Sequence, residues 1–124
     1  MGRIRSEITI DGSTFWLLFD SGARNTYVTP EVAKYLATRS VPPREAALGG
    51  KRHAIGQACI LIGSIEGKTI DTDGYVIDEI GTDEDGRPIE VLLGALAMQK
   101  WGIRLIPEDE RVDWSHYPRE FVEF

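Results

Sequence analysis

Residues 16–28 read WLLFDSGARNTYV, and the surroundings of Asp20 in this stretch decide how the chain is read. An Asp-Ser-Gly triplet is ordinarily a polar surface turn, yet here Trp16, Leu17, Leu18 and Phe19 stand directly before the carboxylate. Four large apolar residues in a row read as a buried strand. Asp20 is therefore expected at a strand end beside the core. Gly22 permits a tight backbone that brings a peptide N–H toward the carboxylate, and Ser21 supplies a hydroxyl able to bond beneath the loop.

The flanking sequence predicts an all-β domain of short strands. Residues 5–20, RSEITIDGSTFWLLFD, read as two strands joined at Asp11-Gly12, a strong hairpin signal. Thr29, Pro30 and Glu31 mark a helix start, with Thr29 as N-cap, and EVAKYL supplies one or two turns. Pro42 and Pro43 are expected to block regular pairing and form a connection. Residues 44–62 read as a mobile hairpin with its tip near Gly49 and Gly50, and Gly56 gives the returning arm a second flexible point. Residues 63–78 suggest two more short strands, and GTDEDGRP, 81–88, an exposed acidic loop. After Gly94, ALAMQKWG is a short helix ended by Gly102, and residues 103–114 read as two strands around a PEDE turn.

Composition narrows the function classes. The 124 residues suit one domain, 1–124, with 115–124 as an extension, and 42% hydrophobic with 27% charged residues is a globular balance. No apolar run approaches the roughly 20 residues that span a bilayer, so no membrane partner is expected. The MGRIRS start fits a loose myristoylation pattern at Gly2, which carries little weight. A net charge of −6 disfavours nucleic acid. Cys59 is the single cysteine and reads as a buried strand residue, which favours a reducing, cytoplasmic setting.

No metal or other cofactor is expected. His53 and His116 lie far apart, read as an exposed hairpin residue and a surface turn, and no paired-ligand spacing occurs. GGKR, 49–52, fails as a phosphate loop because Glu45 stands where a glycine is needed and Arg52 replaces Ser or Thr.

Two segments together carry a family resemblance. FDSGARNTYV, 19–28, resembles the Asp-Thr/Ser-Gly-Ala motif of the retropepsin-like aspartic proteases, and VLLGALAM, 91–98, resembles the aliphatic-aliphatic-Gly segment before their C-terminal helix. The hairpin at 44–62 falls where that family places its flap, and the agreement in order covers roughly 6–114. The resemblance implies a closed or partly open β-barrel with a flap hairpin and one or two short helices. It implies Asp20 as the catalytic residue, with Ser21 and Gly22 supporting its loop. Ala23, Arg24 and Asn25 would form the substrate floor, and Gly49, Gly50 and Lys51 the flap, whose tip runs to about Ala54. Retroviral members usually carry acidic residues where this chain has Arg24 and Asn25, and an Arg where it has Ala95, so their ion pair is missing here.

Aspartic protease chemistry needs two carboxylates sharing a proton, and the chain offers one suitable triplet. Asp71, Asp73 and the 83–85 run read as solvated turn carboxylates. The implied partner is a second copy, giving an Asp20/Asp20' dyad that cleaves extended peptide. Terminal strands of the family interleave across the twofold, and residues 2–8 and 103–106 are the candidates. The alternative is a catalytically silent dimerisation or peptide-binding module of the same fold.

Overall fold

The strand that precedes Asp20 is buried because it runs through the middle of a sheet. In β2 (Ser13–Phe19) Leu17 and Phe19 are fully buried, and its parallel neighbour β9 (Val91–Leu93) is buried throughout. Apolar runs of this kind suit a parallel pair covered on both faces. The structure is a computed structural model and describes residues 4–119. Gly2 and the tail residues Phe121, Val122 and Phe124 fall outside the described residues.

The remaining strands are β1 (Arg5–Ile10), β3 (Thr26–Val28), β4 (Ala37–Leu48), β5 (Lys51–Ile65) and β6 (Lys68–Val76). With β2 and β9 they form one sheet in the order β1-β2-β9-β3-β6-β5-β4. Thr9 of β1 also pairs with Ser64 of β5, which closes six strands into a barrel and leaves β4 as the edge. Helix α1 (Pro30–Ala33) and helix α2 (Ala95–Lys100) are short. Two small hairpins complete the chain: β7 (Gly81–Thr82) with β8 (Pro88–Ile89), and β10 (Arg104–Ile106) with β11 (Arg111–Asp113). Among these residues no helix is long and apolar enough to cross a membrane.

The all-β expectation holds, and the structure corrects several details. The β1–β2 hairpin turns on Asp11-Gly12 as expected, with Ile10 opposite Ser13. Pro42 and Pro43 lie inside β4, where the pairing shifts register between Ser40 and Arg44. An edge strand tolerates prolines at a bulge, since missing N–H groups cost nothing on an unpaired side. Residues 63–65 belong to the long strand β5, so only β6 is a separate strand in that segment. Asp71 and Asp73 accordingly sit within β6 rather than in a turn, and Asp71 bonds Lys100 at 2.6 Å. Helix α1 is a single turn, and the Thr29 hydroxyl makes no cap bond.

The acidic loop is also more ordered than its composition suggested. Asp83 keeps only 4% of its side chain exposed, accepts the Trp16 indole N–H at 2.9 Å, and sits beside Arg5. The backbone N–H of Arg87, burial opposing it, then Trp16, the Asp85 N–H and the Arg5 charge leave its carboxyl below the usual range. Cys59 is buried as read. Burial, then the Asp73 charge, push its thiol up to about 11, so it stays protonated and structural.

Candidate active site

Asp20 extends the β2–β9 ladder by one bond, its N–H donating to Leu93 O at 3.0 Å. The chain then turns back, with Ala23 N–H donating to Asp20 O at 3.2 Å. This turn aims the Gly22 N–H at the carboxylate, at 2.9 Å from Asp20 Oδ1. A backbone donor of this kind holds one carboxylate oxygen in place. Asp20 is half-buried, and Ser21 and Gly22 are exposed. The Ser21 hydroxyl has no hydrogen-bond partner among the described residues, so within one chain the loop is held by backbone bonds rather than by Ser21.

The two sequence segments meet here. Gly94 follows β9 and opens α2, and a Cβ on it would lie 2.2 Å from Asn25 O, so only glycine fits. The Gly94 N–H donates to the buried Thr26 hydroxyl at 3.1 Å. The next two N–H groups, of Ala95 and Leu96, donate to Ala23 O and Arg24 O at 2.7 and 3.1 Å. The first turn of α2 is thus capped by the carbonyls of the Asp20 loop, which satisfies donors a helix start otherwise leaves open. Thr26 was not among the sequence candidates, because its role depends on a residue 68 positions away. Thr26→Val removes that acceptor from a buried N–H. It is expected to cost about 1–3 kcal/mol in a denaturant titration.

Around the loop, Arg24 is exposed and Asn25 half-buried, while Ala23 packs into an apolar cluster with Tyr27, Ile55, Ile77 and Leu92. The flap is the β4–β5 hairpin, longer than the expected 44–62. Its tip is Gly49-Gly50, both left-handed at φ 58° and 81°, with Leu48 opposite Lys51. Ala46 and Leu48 of the flap and Ile80 pack against the same cluster as Ala23. Ala23 of the Asp20 loop and Ala46 and Leu48 of the hairpin therefore belong to one packed apolar cluster. Gly49 and Gly50 are exposed, and Lys51 pairs with Glu79 at 3.2 Å.

His53 departs most from the sequence reading. It is buried at 5% exposure, and its Nδ1 lies 2.8 Å from Asp78 Oδ1. The His53 hydrogen bond, then the Glu79 N–H, hold the Asp78 carboxyl below its ordinary value. A carboxyl lowered on folding contributes stability above its unfolded pKa and loses it as pH falls through the folded one. Flap amides are therefore expected to stay protected in NMR spectra from neutral pH down to about pH 4, and to broaden below it. His116 is exposed, as read, in the turn where Ser115 N–H donates to Asp113 Oδ1 at 2.9 Å.

A closed six-strand barrel with a flap hairpin and an Asp-Ser-Gly loop on its floor defines the retropepsin-like fold. Solved structures agree. The retroviral protease-like domain of Ddi1 from Leishmania major has a TM-score of 0.65 at 16% identity, over 91% of this chain and 88% of that one. EIAV protease, in a complex with the inhibitor HBY-793, has a TM-score of 0.59 at 17% identity, over 82% of this chain and 90% of that one. The likeness at these identities is one of fold. No family model matches the sequence, and no curated protein matches it.

Proposed function

We propose that the chain is one protomer of a homodimeric aspartic endopeptidase whose dyad is Asp20 from each copy. The observation that carries this reading is the placement of Asp20: a strand-end carboxylate, pinned on one oxygen by the Gly22 N–H, on a loop whose Ala23 packs into the same apolar cluster as Ala46 and Leu48 of the hairpin. In this reading an extended peptide enters between the hairpin and the Asp20 loop, adds backbone hydrogen bonds and seats alternate side chains. In the dyad the ionised carboxylate draws a proton from water as the water attacks the scissile carbonyl. The neutral carboxyl hydrogen-bonds the carbonyl oxygen.

Two further features support a second copy as the partner. The exposed Ser21 hydroxyl has no partner among the described residues, and beside it runs a groove of about 900 Å³ whose lining includes Ile4, Met98, Ile103, Leu105 and Pro107. In this reading the partner copy sits against that groove, next to Ser21 of the Asp20 loop.

Two carboxylates at hydrogen-bonding distance cannot both ionise cheaply, so the active form holds one proton. Cleavage of an unbiased peptide library is expected to be bell-shaped in pH with an optimum on the acid side. Flat activity between about pH 4 and 9 would sink the dyad. Peptide binding without cleavage at every pH would mark a silent peptide-binding module instead.

A further inference from the structure

Along the returning arm of the flap, side chains alternate between faces, so Lys51, His53 and Ile55 share one side and Arg52, Ala54 and Gly56 the other. The first side is the inner one: His53 and Ile55 are 5% and 3% exposed, whereas Arg52, Ala54 and Gly56 are exposed. Ala46 and Leu48, cross-strand partners of His53 and Lys51, are partly buried with them. The chain's own segment after β6 covers part of this inner face. Ile77 and Ile80 supply apolar contact, Asp78 takes His53 at 2.8 Å, and Glu79 takes Lys51 at 3.2 Å.

The two polar contacts differ in kind. Lys51 and Glu79 are 71% and 64% exposed, and an ion pair so open to water adds little. His53 is buried while Asp78 is 77% exposed, so only the imidazole has given up its water. If the flap stays down without Asp78, that ring nitrogen has no partner, and a buried polar group left unpaired is costly. The charged groups facing this contact are Asp78, Glu79 and Lys51, with the Arg44 guanidinium over the Tyr75 ring at 5.0 Å. Glu45 and Arg52 pair with each other at 3.5 Å.

We propose that His53–Asp78, aided by Lys51–Glu79, is a latch that holds the flap onto residues 77–80 of its own chain, and that a peptide must release it to enter between the flap and the Asp20 loop. The latch rests on the proposed entry of a peptide between the flap and the Asp20 loop, and His53 and Asp78 act in it as positioning residues. A lid closed on its own protomer lowers the fraction of molecules competent to bind, and apparent affinity falls by that fraction. Breaking the latch therefore raises affinity while leaving the Asp20 loop untouched.

The test is amide hydrogen exchange in the Asp20→Asn protein, with and without Asp78→Ala, a surface truncation that the barrel core does not feel. Asp78→Ala is expected to speed exchange of flap amides 44–56 by about tenfold, with amides of β2 and β9 unchanged. In the protein with Asp20 intact, the same substitution is expected to lower KM for a cleaved peptide and hold kcat within about twofold. Lys51→Glu with Glu79→Lys restores the accessory pair with reversed charge and should keep flap exchange near that of the parent. Unchanged flap exchange in Asp78→Ala overturns the latch, as does a uniform rise across the whole barrel. Because exchange is read without turnover, absence of cleavage would defeat the protease reading and leave the latch standing.

Discussion

Replacing Asp20 with Asn is expected to lower peptide cleavage by about 10^4-fold, with thermal stability and oligomeric state unchanged. The amide keeps the shape of the carboxylate, and its oxygen can still accept the Gly22 N–H now bonded at 2.9 Å, so the loop holds its geometry. What it loses is the proton. An Asn neither takes one from the attacking water nor gives one to the carbonyl oxygen, and both members of the dyad change together in a homodimer. Residual activity within tenfold of the parent would place the chemistry elsewhere. Asp71 is tied to Lys100 and Asp83 to Trp16, so neither can take its place without breaking a bond.

The largest effect on stability is expected from Gly94→Ala. One methyl group here is not a matter of backbone freedom but of space: its Cβ would stand 2.2 Å from Asn25 O and 2.9 Å from Ala23 O. Those are backbone atoms of the Asp20 loop, and they cannot swing aside as a side chain would. Relief requires α2 to move off the loop, which breaks the Ala95 and Leu96 caps and the Thr26 bond together. The expected loss is at least about 3 kcal/mol by chemical denaturation, beyond ordinary overpacking. A loss under 1 kcal/mol would show that the loop and α2 are not coupled as described.

The apolar run before Asp20 and the Gly49-Gly50 tip each answer a local demand, of burial or of turn chemistry, and such demands leave a residue-level mark. Gly94 answers a contact with the distant Asn25, and it was legible only through the family resemblance of the segment around it. The features that were misread depend on residues far away in the chain. Residues from Gly63 onward read as a separate strand, yet β5 runs straight through Gly63. Its absent side chain makes room for β1, since a Cβ there would meet Thr9 O at 2.9 Å. Pro42 and Pro43 read as a connection because the edge position that tolerates them is a property of the whole sheet. His53 looked exposed in a polar GGKRH stretch, and what buries it is a segment 25 residues downstream. Thr26 carried no motif of its own, since its role appears only when β9 delivers the Gly94 N–H to it.

The account stands on two copies each lending one acid to a shared centre, and mixed dimers test that directly. Parent protein is blended with the Asp20→Asn variant in varying proportion, allowed to exchange subunits, and assayed for peptide cleavage at constant total concentration. If both carboxylates are required, activity falls as the square of the parent fraction. A linear fall would mean that each chain works alone, and it would contradict the dyad.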